Sequence, residues 1–416
     1  MRPTNPIFPW GTALLAALIL AACGGGGETV APAADAQVAG ASTRRAFNAV
    51  VSFGDSLSDV GTYQPATVVP GTDPPIYLGG RFTTNSATAT IWVENVAARL
   101  GIAITPAEVG FGGQSVRCPA AAWGQGATCT AYGQGGARVS DPNGTRHDAG
   151  ALTVPIRNQV ANHLERFKTF RSSDLVLVWA GANDLLWQTE QDPARNPDSF
   201  VVQLFRIQAL AQAGAISPEQ AQAQVAAALQ SSQAVMATAA LDLVGLVRDQ
   251  IVAKGGRYVA VLNLPDPAVT PEGVATTALS PVVGAALTAL ADSFNAVLKD
   301  GLAGLPVHLI DIRALITDVV AHPREHRIAN AATPACDPVR MSQITGGAVT
   351  DGFALFCNAT PGAPFNGLLP EANVDTWFFA DGNHPTTGGH RLIGNEVLRQ
   401  LRSFGWVGER DGGGDR

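Results

Sequence analysis

Four short runs, Ala49–Phe53, Leu175–Trp179, Tyr258–Leu262 and Val307–Ile310, carry almost no polar side chains and are separated by long amphipathic stretches. Such runs are too short for core helices. Having no polar face, they must be covered on both sides, which is the condition of strands in a parallel sheet. The stretches between them predict helices over 86–100, 153–168, 218–254, 278–303 and 387–403, and a further short strand ahead of Gly135. The third helix has the clearest ends. Ser217 caps it, Pro218 suits its first turn, Glu219 and Gln220 follow, and Gly255-Gly256 stop it. The alternation predicts an α/β chain, a three-layer α/β/α sandwich with a mainly parallel sheet. No internal repeat and no second linker is visible, so residues 46–406 are read as one domain.

Composition excludes two classes. With 46% hydrophobic residues, 15% charged residues and a formal charge of −7, the chain is neither a disordered acidic tail nor a nucleic-acid binder led by basic patches. Five cysteines are an odd number for an exported protein, and the N-terminus gives one of them a separate role. Arg2 precedes an apolar run, Gly11–Ala22, that is too short to span a bilayer, as a secretory signal is. It ends in Leu20-Ala21-Ala22-Cys23, which resembles a bacterial lipobox. Residues 1–22 are therefore expected to be a lipoprotein signal peptide and Cys23 the lipidated residue. Residues 23–45, rich in Gly, Ala and Pro, read as a flexible tether, and 407–416 as a disordered tail. Gly24 is not the Asp that favours inner-membrane retention. The expectation is an exported, lipid-anchored protein of the bacterial outer membrane, on its periplasmic or surface face.

Cys118, Cys129, Cys336 and Cys357 remain, and four cysteines allow three pairings. Pairing neighbours, Cys118–Cys129 and Cys336–Cys357, closes the shortest loops, both of which look structureless in sequence. A zinc site is the competing reading. It lacks a C-x-x-C and any His at ligand spacing, so no metal is expected.

Three segments place a reactive group just past a strand, where open parallel sheets build their sites. The first, Phe53-Gly54-Asp55-Ser56-Leu57-Ser58-Asp59, follows the first strand; a Ser there has an exposed hydroxyl and a backbone N–H at a helix start, although Ser is also a common cap. The second, Gly181-Ala182-Asn183-Asp184, offers an amide able to bind an oxyanion or merely to shape a turn. In the third, Asp381-Gly382-Asn383-His384-Pro385-Thr386, a carboxylate three residues ahead of an imidazole can hold Nδ1–H and leave Nε2 as a base.

Together these blocks resemble the GDSL (SGNH) family of lipases and esterases, over about residues 49–405. Gly54-Asp55-Ser56-Leu57, Gly133-Gln134-Gly135-Gly136-Ala137-Arg138, Gly181-Ala182-Asn183-Asp184 and Asp381–Thr386 match its four blocks in order. Gly79–Thr83, Asn263–Asp266 and Asn330–Cys336 look like its bacterial lipase branch. Ala131 departs from the pattern, standing where an Asn often does. No G-x-S-x-G occurs, which argues against the nucleophile elbow of common α/β hydrolases.

The resemblance implies a flavodoxin-like SGNH hydrolase fold with Ser56 as nucleophile, His384 as base and then acid, and Asp381 orienting His384. The oxyanion hole would comprise the Ser56 and Gly136 backbone N–H groups and the Asn183 amide. It implies a carboxylesterase or lipase that needs no cofactor and meets an ester or lipid substrate; a monomer is expected, touching the membrane through the lipid that the Leu20–Cys23 motif places on Cys23. Phospholipase, acyltransferase and polysaccharide O-acetyl esterase activities are open on the same fold. A non-catalytic surface-binding lipoprotein would have lost Ser56, Asn183 or His384, and all three are present. Two further expectations concern the walls: the segment 112–135, pinned by Cys118–Cys129, is expected to fix one side of the site. The stretch 185–216, with Leu186, Trp187, Phe200, Val201 and Phe205, forms either an acyl pocket or lid, or plain core.

Overall fold

The computed structural model describes residues 47–69, 76–77, 79–350, 352–361 and 366–408. The segments expected to be a signal peptide and a tether, with Cys23 between them, lie outside the described residues, as do residues 409–416 of the expected tail.

Six strands form the main sheet: β1 (Ala49–Gly54), β2 (Thr105–Pro106), β3 (Cys129–Ala131), β4 (Asp174–Trp179), β5 (Tyr258–Leu262) and β6 (His308–Ile310), in the order β6-β5-β4-β1-β3-β2. Every pairing between them is parallel. Without the two-residue β2, the order from β3 to β6 is the flavodoxin-like one. The chain builds outward from β1 first to one side and then to the other, so the crevice at the C-terminal end of β1 is the switch point. The ladder beside Ala131 is complete without an Asn: Ala131 pairs with Ser52, accepts the Ala107 N–H at 2.7 Å, and Tyr132 N–H reaches Ser52 O at 2.8 Å.

Alternate residues of each strand serve opposite layers. Val51, Phe53, Val176, Val178, Val259 and Val261 pack against α2 (Ile156–Phe167), α5 (Pro218–Gly245) and α7 (Pro281–Leu302). Val50, Leu175, Leu177, Ala260 and Leu262 pack against α1 (Trp92–Arg99), α8 (Ile312–Ala321) and α9 (Thr387–Ser403). This two-sided burial is why the strands read as unbroken apolar runs.

Helix ends follow local chemistry. The Ser217 hydroxyl accepts the Gln220 N–H while the Gln220 carbonyl oxygen accepts the Ser217 N–H, a reciprocal cap. The helix then runs through a π turn, Leu246–Val252, before Gly255. The helix expected over 278–303 is α7, and a further helix, α6 (Pro271–Leu279), precedes it, the two separated by Ser280-Pro281. The stretch 185–216 is divided between the end of α3 (Ala182–Trp187), which carries Leu186 and Trp187, and α4 (Phe200–Gln212), which carries Phe200, Val201 and Phe205. Phe200 and Val201 pack into a satellite core with Leu204 and Ile207, whereas Phe205 faces solvent.

Both disulfides pair neighbours: Cys118–Cys129 and Cys336–Cys357. Their loops are not structureless. The first holds two 3-10 turns, Pro119–Trp123 and Gly126–Thr128, and the second a short helix, Pro338–Ile344.

Candidate active site

β1 delivers Ser56 into a single 3-10 turn, Ser56–Ser58, at the switch point. Asp55 caps it, its carboxylate accepting the Leu57 N–H at 3.1 Å. The Ser56 N–H is left with no protein acceptor among the described residues.

Opposite, the chain returns through a tight loop. Ala380 N–H donates to His384 O at 2.7 Å and Thr386 N–H to Phe378 O at 2.8 Å, while the Thr386 hydroxyl caps α9 through Gly389 N–H. The closure presents His384 to Ser56, with Nε2 2.9 Å from the Ser56 hydroxyl oxygen. On the far side of the ring, Nδ1 lies 2.8 Å from Asp381 Oδ2. Asp381 is buried and accepts three backbone N–H groups besides, those of Asn383 and His384 on Oδ1 and of Ala354 on Oδ2. Burial alone would raise its pKa. The His384 charge and the hydrogen bonds outweigh burial and hold the carboxyl below its usual range. Burial likewise opposes a charged His384, but the Asp381 charge and hydrogen bond raise its pKa above the ordinary value, with smaller help from Asp55 and Glu272.

The oxyanion donors expected from sequence converge from two loops. Gly135 N–H is spent on Asp59 Oδ2 at 2.9 Å, whereas Gly136 N–H has no acceptor among the described residues. Gly136 has φ +82°, and a Cβ there would sit 2.2 Å from Thr145 O, so only glycine fits. Asn183 opens α3 and is buried; one of its amide hydrogens goes to Ala137 O at 3.1 Å, leaving the other available. Its carbonyl oxygen accepts the Thr145 hydroxyl at 2.8 Å, and the Ala137 carbonyl, which can only accept, fixes which end of the amide is the donor.

Sequence reasoning missed several supports. Thr145 lies in irregular chain and carried no signal. Asp59 ties the Ser56 turn to the oxyanion loop, taking the Gly61, Thr62 and Gly135 N–H groups; its place in the first block could have revealed it. Asp184 holds Val139 N–H at 2.9 Å and pairs with the buried Arg138. Burial pushes Asp55 up to about 7, and Asp59 and Asp184 to about 6. Phe82 lies 5.1 Å from the His384 ring, centroid to centroid.

The cleft over Ser56 has a volume of about 80 Å³ and is bounded by Leu57, Leu185, Leu186, Leu264, Pro265 and Pro267, among others. Thus of the stretch 185–216 only its first two residues line the cleft. None of the lining comes from 112–135, so the wall expected from Cys118–Cys129 is not part of it; that bridge staples the sheet edge at the start of β3 instead.

Residues 50–397 match the model of the GDSL-like lipase/acylhydrolase family. The chain belongs to that family. An ester or lipid substrate fits this membership. Among curated proteins, a phosphatidylcholine-sterol acyltransferase of Aeromonas hydrophila is 30% identical over 175 residues, 39% of this chain and 41% of the relative; the match thus spans less than half of either protein. Among solved structures, an α/β hydrolase enzyme from the metagenome of Lake Arreo, Spain, is 12% identical with a TM-score of 0.36, covering 87% of this chain and 99% of its own. The family's motifs, not that likeness, are what align with the site.

Proposed function

We propose that the chain is a serine esterase working through an acyl-enzyme, with Ser56, His384 and Asp381 as its triad. The observation that carries this reading is the continuous hydrogen-bonded line from Ser56 Oγ through His384 to Asp381. His384 Nε2 takes the Ser56 proton as Oγ attacks the ester carbonyl. The resulting oxyanion is held by Ser56 N–H, Gly136 N–H and Asn183 Nδ2, each such donor being worth roughly 10²–10³ in rate. Collapse expels the alcohol, protonated by His384. Water, deprotonated by His384 in turn, attacks the acyl-enzyme and releases the carboxylate. An Asp381 that stays ionised and a His384 of raised basicity suit both steps.

The apolar walls of the cleft, Leu57, Leu185, Leu186 and Leu264 among them, suit the acyl chain of an ester. p-Nitrophenyl butyrate is therefore the test substrate. Ser56→Ala should abolish its turnover, and a variant that retains it overturns the reading.

The acyltransferase activity of the Aeromonas relative favours a second outcome of the same intermediate, transfer of the acyl group to an alcohol instead of water. Product analysis with added 1-octanol distinguishes them, since transfer yields octyl butyrate. Export and a lipid on Cys23 belong to the same proposal, supported by the Leu20–Cys23 motif; radiolabelled palmitate should enter the intact protein and not Cys23→Ala.

A further inference from the structure

Because the sheet is parallel, the segments that enter the adjacent strands β5, β4, β1 and β3 gather at one end of it, opposite the catalytic loops. They are joined to one another. Phe170, ahead of β4, donates its N–H at 2.9 Å to the carbonyl of Lys254, ahead of β5. Asn48, just before β1, donates its N–H to Ser173 O at 3.0 Å and its side-chain amide to the Ser173 hydroxyl at 3.1 Å. Arg166, in the last turn of α2, donates to Gly126 O and Cys129 O and so holds the loop ahead of β3.

This end is basic on a chain whose formal charge is −7. Arg166, Lys168, Arg171, Lys254 and Arg257 are all exposed, and none has an ion-pair partner among the described residues. The acids nearby are taken. Glu165 pairs with Arg117 at 2.7 Å and Asp249 with Arg248 at 2.7 Å, while Asp174 is buried and accepts the Arg171 N–H at 2.8 Å. With those pairs cancelled, the five cations stand over one buried carboxylate. Helix ends favour cations, which accounts for Arg166 and Lys168. It does not account for Arg171 and Arg257, which lie outside helices, or for Trp123. Trp123 sits on the loop that Arg166 holds and is 76% exposed, more than any other large apolar side chain among the described residues. Such an indole gains from the boundary of a bilayer, where its apolar body is covered and its N–H stays wet. Anionic headgroups attract the cations around it. Residues 1–46, which hold the apolar run Gly11–Ala22 and the Leu20–Cys23 motif, join the domain at this same end, next to Asn48.

We propose that this end of the sheet is a docking face for a bilayer containing anionic phospholipid, with Trp123 entering the headgroup boundary and Arg166, Lys168, Arg171, Lys254 and Arg257 lying on the headgroups. The catalytic cleft then points away from that bilayer, since the six residues of β1 set Ser56 about 20 Å from the face. Docking rests neither on hydrolysis at Ser56 nor on a lipid at Cys23.

The test is co-sedimentation of the full chain, carrying Cys23→Ala so that no lipid is attached, with vesicles of phosphatidylcholine alone or mixed with phosphatidylglycerol. Phosphatidylglycerol should tighten binding at least tenfold, and roughly 0.5 M NaCl should reverse that gain. Lys168→Gln, Lys254→Gln and Arg257→Gln together should remove most of it, each cation near such a surface being worth about fivefold. Arg206→Gln, Arg340→Gln and Arg391→Gln together change the net charge equally and should leave the gain intact. All six side chains are exposed, so neither triple change should lower Tm. Phosphatidylglycerol brominated on its acyl chains should quench the tryptophan emission of the parent more than that of Trp123→Phe. Equal binding to both vesicles, equal effects of the two triple changes, or equal quenching without Trp123 overturns the face. Binding of heparin without binding of phosphatidylglycerol vesicles would make it a polyanion site and overturn the lipid partner. The vesicle-bound chain should hydrolyse p-nitrophenyl butyrate with kcat/KM within twofold of the free chain, and a greater loss overturns the orientation. A chain that docks but hydrolyses no ester would leave the face standing and refute the esterase reading.

Discussion

The two disulfide loops use one covalent device at two distances from the chemistry. Cys336 N–H donates to Ala380 O at 2.8 Å, next to Asp381, and the loop it closes returns through Ala354, whose N–H holds Asp381 Oδ2 at 2.9 Å. Asn85 locks the same loop, its side-chain amide donating to Ala354 O at 2.9 Å and to Cys357 O at 3.3 Å. Cys118–Cys129 instead joins an edge loop to the first residue of β3. Each bridge is worth about 3 kcal/mol of chain entropy by its loop length. Only the Cys336–Cys357 loop also positions a charge that the reaction uses.

The contrast makes graded predictions. The largest concerns the charge itself: Asp381→Asn should lower kcat for p-nitrophenyl butyrate by roughly 10³–10⁴ with little change in KM, because the wrong tautomer of His384 then faces Ser56. Steady-state kinetics checks it. Next, the paired change Cys336→Ser with Cys357→Ser should cost roughly tenfold to a hundredfold in kcat, since Ala354 N–H is no longer held against Asp381. If its kcat matched that of the other bridge's removal, the distinction between the loops would collapse. Thr145→Val, away from both bridges, should lose about tenfold in kcat by freeing the Asn183 amide to turn, at unchanged KM.

Much of this was legible beforehand because it rests on local chemistry. Strands buried on both faces show as apolar runs, and Asp381 and His384 share one short loop, so their contact needs no long-range information. Thr145 and Ala354 were not legible: one acts by a hydroxyl and the other by a backbone N–H, each from irregular chain, and nothing in residue type marks either. The pairing of cysteines could be guessed from loop length, but not which loop touches the acid, since that depends on how 337–356 folds back. The same limit explains the wall wrongly assigned to 112–135. Adjacency in sequence to Gly136 put that segment behind the oxyanion loop rather than in front of it.

A smaller effect probes the charges around His384. Burial raises the pKa of Asp55 from 3.8 to about 7, so folding takes up a proton there between those values and stability falls as pH rises from about 4 to about 7. Asp55→Asn removes that fall: its Tm relative to the parent should rise between pH 5 and pH 8. The same change deletes a negative charge that helps hold the proton on His384, so the acid limb of kcat/KM should move to lower pH. A limb moving upward would mean Asp55 acts on the site by some means other than its charge.

The smallest expected effect on turnover is the most useful for the comparison. Cys118→Ser with Cys129→Ser should lower stability by about 3 kcal/mol, read as a fall in the denaturation midpoint, yet change kcat at 25 °C less than twofold. The reason is spatial. The lining of the cleft contains no residue from 112–135, and β3 remains paired to β1 through Ala131 and Ser52 without the bridge. Gly136 is held instead by its own contacts: its carbonyl accepts Thr145 N–H at 3.0 Å, and the neighbouring Gly135 N–H is fixed by Asp59. A large loss of kcat in protein that is still folded would show that the edge loop reaches the oxyanion donors along the chain after β3, by way of Tyr132 and Gln134. The two loops would then differ in route and not in function.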